Sequence, residues 1–567
     1  MKKLNSIKNR NILSFLLLAF SLLLTNSFIN LYYLSTLSPD FNRYSTYLSY
    51  FLEPNGEIFS EQGVLYYFII SIFIFINLEN FNFSEVNNIK NLGNSENLNL
   101  FYISDFEISV STGIQNGNLF LFILGLFGLF KFLKIYNLDN HKIYLILSLL
   151  IFFPPSLHLR LTFKPEILGF ALLPWALYYF ISYTNTKNYF VFFKLLMIVP
   201  IILTAKASMT AMIGIFFVIL IFQNRKKINI KDLTIFVIIS SIIFSVLYFE
   251  NLNIINRSFF ERDDLKQIYN QTEYNNVADP NIFYNINFND LIRHPESNYH
   301  ADSIIGITLI DTFGDYFNEY WDKDYTLSKK YRKDFIKSNI KNSFDYSNQI
   351  LYLKNWNSNL DYLRNLSSLF LSVLFFFLTI FFGFKKKGSK TLLFSPLIGV
   401  FVLIINSLGF PEYNFYPKTA DTFKTFYYSF LLTISFVELL RNLIISSFPF
   451  KKLFIPVYIL LICFITGFPK ANNTELDYTL SNINKNSTTC KINTIYLKQS
   501  LIEKDNISCN KTTKKEVLGD KFKLNSIPKI NITLFSIVLL LLLTEVKAIN
   551  QFLILKNKRL KKIFSKF

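Results

Sequence analysis

The sequence predicts an all-α polytopic membrane protein of about 12 transmembrane helices, with a long extracytoplasmic insert and a small extracytoplasmic domain near the C-terminus. Three observations predict it. Of 567 residues, 51% are hydrophobic and 18% aromatic, with 65 Phe, more continuous apolar sequence than a soluble domain of this length carries. Many runs approach the roughly 18–20 apolar residues that cross a bilayer. The net charge of +19 is gathered largely in short basic clusters at the ends of apolar runs, the pattern of cytoplasmic anchors. The charge therefore requires no nucleic acid as partner; the partner it implies is the membrane lipid.

The opening MKKLNSIKNRNILSFLLLAFSLLLTNSFINLYYL has the outline of a signal peptide. Its apolar run is too long and no small-residue cleavage site follows, so it reads as a retained first helix. Apolar runs then fall at approximately 12–34, 63–78, 116–133, 143–157, 167–183, 189–205, 207–223, 233–250, 365–384, 391–408, 425–442, 453–468 and 531–555. The cytoplasmic side is marked by Lys2, Lys3, Lys8 and Arg10, by Arg225, Lys226, Lys227 and Lys231, by Lys385, Lys386, Lys387 and Lys390, by Arg441, Lys451 and Lys452, and by the tail KNKRLKKIFSKF. Two basic ends inside demand an even number of crossings, and thirteen runs are odd. One run is false, merged or accompanied by a further crossing. The weakest are 63–78 and 143–157; the second is short and enters FFPPS, whose prolines break or kink a helix. The acidic stretch 79–115 looks extracytoplasmic, yet simple alternation puts it inside.

The resulting organisation is a transmembrane module over 1–250 with a first extracytoplasmic loop at 35–62, an extracytoplasmic insert over 251–364, and transmembrane helices over 365–468. A small extracytoplasmic domain at 469–530 and a last helix with a basic cytoplasmic tail at 531–567 complete it. In a bacterium this is an inner-membrane protein with both termini in the cytoplasm. The insert is too long for an idle connector. Cys490 and Cys509 lie together in the second polar segment, while Cys463 lies in an apolar run; a disulfide between the first two is the expectation, with a pair of free thiols as the alternative. No Walker sequence, no GxGxxG before a helix and no paired CxxC occurs, so ATP hydrolysis and zinc-finger chemistry have no support.

Four constellations carry candidate chemistry. In SPDFNRY, Asp40 follows Pro39 at the end of the first run. It reads either as the cap of an interfacial helix with Phe41, Tyr44, Tyr47, Leu48 and Phe51 on one face, or as a general base at the bilayer boundary. HLRLTFKPEILGFALLPWALYYF sets His158, Arg160, Lys164 and Glu166 directly before an apolar run, where cations bind a phosphate or snorkel. Lys206 lies between two apolar stretches with no acid near it in sequence, an intramembrane charge or a helix end. NYHADSIIGITLIDTFGDYFNEYW gathers His300, Asp302, Asp311, Asp315 and Glu319. Asp311 and Asp315 share a face if the stretch is helical, and Gly314 between them makes a turn nearly as fitting. Acids with His suit a divalent metal, acids with aromatics suit a sugar, and a solvated loop suits neither. GFPEYNFYPKTADTFKTFYY adds Glu412, Lys418, Asp421 and Lys424 on the same side.

The order of a first helix, an acidic loop with SPDFNRY, GVLYYF opening the second helix, LRLTFKPEILGFALLPWALYYF and then DTFGDYFNEYW resembles the GT-C superfamily of polytopic membrane glycosyltransferases. The resemblance covers the first 250 residues or so and the insert more loosely. It implies transfer of a sugar from a polyprenyl-phosphate donor to an extracytoplasmic glycan, polysaccharide or protein acceptor. It implies Asp40 as the acceptor-side acid, and Arg160 and Lys164 near the donor phosphate, with Lys206, His300, Asp311 and Asp315 as further substrate-binding candidates and a divalent metal as a candidate cofactor. Many members carry a second acid directly after the first; Phe41 stands there, which shifts that role to Glu53, Glu57 or Glu61. A lipid-linked glycan transporter or flippase, a polysaccharide polymerase or ligase, and a scaffold without catalysis are the alternatives.

The charge pattern makes one direct prediction. In intact cells a membrane-impermeant thiol reagent labels a single cysteine at 300 and spares one at 227. The opposite labelling overturns the topology.

Overall fold

The computed structural model describes residues 2–31, 64–77, 105–255, 286–293, 303–314, 358–385, 390–409, 425–446, 458, 461–462, 475–480 and 488–493. All lie within the first of two compact units, Met1–Lys511. The chain is built of helices at the apolar runs: α1 (Lys2–Leu31), α2 (Val64–Asn77), α3 (Asp105–Lys134), α4 (Asn140–Ile151), α5 (Pro154–Leu161), α6 (Glu166–Thr186), α7 (Tyr189–Leu203), α8 (Ala207–Gln223) and α9 (Ile230–Ile255). After these come α10 (Phe288–Arg293), α11 (Ile304–Asp311), α12 (Ser358–Lys385), α13 (Lys390–Leu393), α14 (Ser395–Gly409) and α15 (Ser429–Ile445), with a 3-10 turn at Thr425–Tyr428.

Four of the described helices are long and apolar enough to cross a membrane, at Thr112–Lys134, Glu166–Thr186, Ile230–Leu247 and Asn365–Lys385. A bent pair, Asn140–Ile151 with Pro154–Arg160, makes a fifth if counted as one span. The expected dozen is not reached among the described residues. Several apolar runs fold into helices that are too short: Tyr189–Leu203 has 15 residues, about 22 Å at 1.5 Å per residue, against a hydrocarbon core of about 30 Å. The expected run at 531–555 lies outside the described residues, as does 453–468 apart from Tyr458, Leu461 and Ile462. The FFPPS break falls where expected. Pro154 and Pro155 open α5, where their missing N–H groups cost no helical bond, and the axis turns by 70° between α4 and α5. α11 ends at Asp311 and a turn follows through Gly314, while Asp315 lies outside the described residues.

α3 is the centre of the first module. It runs antiparallel to α2, with Gly113 against Ile74 and Gly117 against Ile70, and parallel to α6, with Gly125 against Phe170 and Gly128 against Pro174 and Trp175. Small residues at these positions let the backbones approach, as membrane helices require where no hydrophobic force separates protein from lipid. The Trp175 indole N–H donates to the Leu124 carbonyl at 2.9 Å. α1 runs beside α4 and α5 in their direction: Phe15 packs on Tyr144 at one end and Thr25 meets Arg160 at the other. α15 packs on α4, α5, α6 and α12. Its Phe436 stacks on Phe153 at 4.2 Å, and Phe313, Phe375 and Tyr458 close the same aromatic cluster. Apolar side chains such as Ile12, Leu13, Phe75, Phe190, Phe222, Ile238, Phe377 and Phe384 face outward, as lipid contact demands.

Arg441, one of the basic residues that mark the expected cytoplasmic side, is largely enclosed by the protein. Its guanidinium pairs with Glu438, whose side chain is fully buried, and lies 3.9 Å from the centre of the Tyr136 ring. Burial raises the pKa of the Tyr136 hydroxyl above the ordinary phenol value; Glu438 adds to the shift and Arg441 opposes it. At the Thr186 end of α6, Tyr183 donates to Asp232 and Lys187 donates to the Lys227 carbonyl, tying α6 to the start of α9.

The described residues are not purely helical. Glu475–Leu480 and Thr488–Asn493 form an antiparallel hairpin, β1 and β2, in which Cys490 faces Tyr478. Leu476, Tyr478 and Leu480 alternate with polar residues, and the connecting segment is rich in Ser and Asn; both are strand-and-turn signals that outweigh helix formation in a polar segment. Cys509 and any bond to Cys490 lie outside the described residues.

The glycine contacts predict opposite effects at two positions. A Cβ at Gly113 would sit 2.5 Å from the Ile74 backbone, while one at Gly214 meets nothing within 4 Å. Gly113→Ala is expected to lose about 1–2 kcal/mol by overpacking, and Gly214→Ala to gain about 0.5–1 kcal/mol from helix propensity. Thermal unfolding in detergent measures both; equal shifts would refute close α2–α3 packing.

Candidate functional site

One end of the helical bundle collects the charges that an apolar interior excludes. α5 ends at Leu161 inside the protein, so its last carbonyls have no water to bond. The Asn118 side-chain amide of α3 meets two of them, donating to the Arg160 carbonyl at 3.0 Å and the Thr162 carbonyl at 2.9 Å. Its own oxygen accepts from the Tyr66 hydroxyl at 3.0 Å. The Thr162 hydroxyl donates to the His158 carbonyl at 2.8 Å. Arg160 is thereby held at 1% exposure. Its guanidinium donates to Thr25 Oγ1 at 2.7 Å and Asn26 Oδ1 at 3.2 Å and stacks 5.1 Å from the Phe122 ring centre. Snorkelling to a solvent boundary is thus not what this residue does.

Two turns of chain further, Lys164 is 3% exposed and Glu166, the first residue of α6, is fully buried. Lys206, at the junction of α7 and α8, pairs with Glu166 Oε1 at 2.5 Å. The lysine had no acid near it in sequence; its partner lies 40 positions away. The Tyr427 ring serves both lysines, with Lys206 Nζ at 5.0 Å and Lys164 Nζ at 5.6 Å from its centre. A carboxylate in the first turn of a helix also sits where the macrodipole favours negative charge.

The insert reaches this end through α11. Ser303 caps it by accepting from the Gly306 N–H at 3.0 Å. Asp311 is 1% exposed, and its Oδ2 accepts from the Thr425 N–H at 2.8 Å and the Thr425 hydroxyl at 2.5 Å. Asp311 thus anchors the turn that carries Tyr427. His158 Nε2 lies 3.4 Å from the Gly314 carbonyl, and Phe313 packs on Phe153.

Arg160, Lys164, Lys206 and Asp311 are therefore brought to one end of the bundle, where they meet His158 and Glu166. Asp40, Glu53, Glu57, Glu61, His300, Asp302 and Asp315 lie outside the described residues, as do Glu412, Lys418, Asp421 and Lys424. Among the described residues no three His, Cys, Asp or Glu side chains converge as a metal site would require. Sequence reasoning missed Asn118 and Tyr427. The signal for the first was present: Gln115, Asn116 and Asn118 stand just inside an apolar run and all are buried, where polar residues mark function or packing.

The arrangement can bind an anion. Lys164 and Lys206, from two separate stretches of sequence, share the Tyr427 ring at the mouth of α6, where a phosphate would gain charge-assisted hydrogen bonds. Removing one partner of the buried pair tests its weight. Lys206→Met leaves Glu166 buried without its cation and is expected to cost about 3–5 kcal/mol, largely restored in Lys206→Met/Glu166→Leu. Thermal unfolding of the two variants measures this, and a single mutant as stable as the parent would mean that the pair carries no stability. No family model, curated protein or solved structure matches this chain.

Proposed function

We propose that the protein is a membrane glycosyltransferase of the GT-C type. In this reading it moves a sugar from a polyprenyl-phosphate donor to an extracytoplasmic acceptor such as a lipid-linked glycan, a polysaccharide or a protein. The observation that carries the reading is the placing of Lys164 and Lys206 over one Tyr427 ring at the N-terminus of a bilayer-length helix, with the buried Arg160 four residues before Lys164. A donor of this class has an apolar tail and a phosphate that leaves with the electron pair of the glycosidic C–O bond. Cations in a dry frame stabilise the charge that develops on it. The incoming hydroxyl then needs a base, the role proposed for Asp40 in the first loop, with Glu53, Glu57 and Glu61 as the other acids in reach of the same loop by sequence. His300, Asp311 and Asp315 belong to an insert whose α11 docks beside the cations; Asp311 acts there by holding Thr425. The proposed orientation sets this end outside, opposite Arg225–Lys231.

A second reading has one specific observation behind it. The bend between α4 and α5 resembles the broken helices at which transporters bind their substrates, and a transporter of lipid-linked glycans would use the same cations without bond making.

One experiment separates them. Purified protein is incubated with a panel of radiolabelled polyprenyl-phosphate sugars and the products are resolved. Transfer of label to acceptor, falling roughly a hundredfold or more in Asp40→Asn with a stability loss of about 1 kcal/mol or less, is the expected result. Binding of donor without transfer favours the transporter. Transfer by Asp40→Asn at the parent rate removes Asp40 from catalysis.

A further inference from the structure

Glu166 stands in the cation cluster with one carboxylate oxygen bonded and the other without a hydrogen-bond donor among the described residues. Its side chain is fully buried, Oε1 is taken by Lys206, and Oε2 meets no hydrogen-bond donor. A buried carboxyl oxygen without a partner is costly in either protonation state. Leucine or glutamine in the first turn of α6 would avoid or share that cost, so the geometry is that of a group awaiting a donor.

The charges around it say which donor. Lys206 touches the same carboxylate, and Lys164 shares the Tyr427 ring with Lys206. A cationic ligand is repelled by these groups, and a second anion is repelled by Glu166 itself. A neutral donor, a hydroxyl, satisfies both conditions. The anion belongs on the cations and the hydroxyl on Glu166, and a sugar phosphate carries both within one small molecule.

We propose that Glu166 is the sugar-recognition residue of this site, its Oε2 accepting a hydrogen bond from a ring hydroxyl of the polyprenyl-phosphate sugar. The inference rests on the donor reading above and deepens it by separating the phosphate-binding groups from the sugar-binding group. Asp311 is committed to the turn at Thr425, whose N–H and hydroxyl both donate to its Oδ2.

The test compares lipids that share the polyprenyl tail and the phosphate and differ in the group esterified to it. Protein in nanodiscs is titrated with decaprenyl phosphate and with decaprenyl-phosphate mannose, glucose and arabinose. At least one glycosylated lipid is expected to bind about tenfold or more tighter than the bare phosphate, the worth of one hydrogen bond to a charged group. Glu166→Gln replaces one acceptor oxygen by an amide, and Glu166→Asp withdraws the carboxylate by one methylene. Both are expected to reduce the sugar preference, the ratio of glycosylated to bare-lipid affinity, to about threefold or less. The aspartate variant decides the matter if the glutamine variant does not fold. A parent protein that binds bare and glycosylated lipids equally overturns the inference while leaving the phosphate site standing. A sugar preference that survives in both variants also overturns it and assigns Oε2 to an internal water. Binding of no polyprenyl phosphate by the parent sinks the donor reading, and the inference with it.

Discussion

The functional end of the molecule depends on a backbone problem. α5 stops inside the protein, and carbonyl groups at a helix end in an apolar surrounding have no water to bond. Asn118 solves this for two of them at once, and Tyr66 fixes Asn118 from the other side. Three helices, α2, α3 and α5, are thus tied at one side chain. The position of Arg160 follows from that tie, because its carbonyl is one of the two bonded and its guanidinium then donates to α1 at Thr25 and Asn26. The glycines of α3 are the steric half of the same arrangement. Without the close approach of α2 at Gly113 and Gly117, the Tyr66 hydroxyl would stand away from Asn118.

The magnitudes favour the ionic and hydrogen-bonded contacts over the aromatic ones in fixing the cluster. A cation over a ring contributes about 0.5–2 kcal/mol, while breaking a buried ion pair costs about 3–5 kcal/mol. Lys206 is therefore set chiefly by Glu166, and Tyr427 covers a geometry decided elsewhere. Tyr427 itself is placed by Asp311 through Thr425. In this way a short helix of the insert is linked to the cations through the turn that carries Tyr427.

The two ends of α6 are polar in different ways. Glu166 begins it among cations. Tyr183 and Lys187 close it against Asp232 and the Lys227 carbonyl. The helix between has 21 residues, about 30 Å at the ordinary rise, close to the thickness of a bilayer's hydrocarbon core. Charge at both ends and none between is the distribution a membrane imposes. Glu438 and Arg441 of α15 are tolerated beside it because they neutralise one another over Tyr136.

The sequence by itself determined the helices and their breaks. Apolar runs at 116–133, 167–183 and 365–384 are long enough to leave no other backbone solution in lipid, and the prolines of FFPPS forbid a continuous helix through 154 and 155; both effects act within one turn of chain. Short polar alternation in ELDYTL carried the hairpin just as locally, though an all-helical reading passed over it. Gly113 and Gly117, four apart, were equally legible as a packing face. Tertiary structure alone decided the site. Lys206 meets Glu166 across 40 positions, Asp311 meets Thr425 across 114, and Asn118 meets Thr162 across 44. Each of these is a pairing of buried polar groups, and which partner such a group finds depends on how the helices pack rather than on any periodicity along the chain. A lone lysine between apolar runs reads the same whether it snorkels, ends a helix or pairs; only the fold brings the carboxylate to it, because water is absent there and the charge must be answered from within the protein.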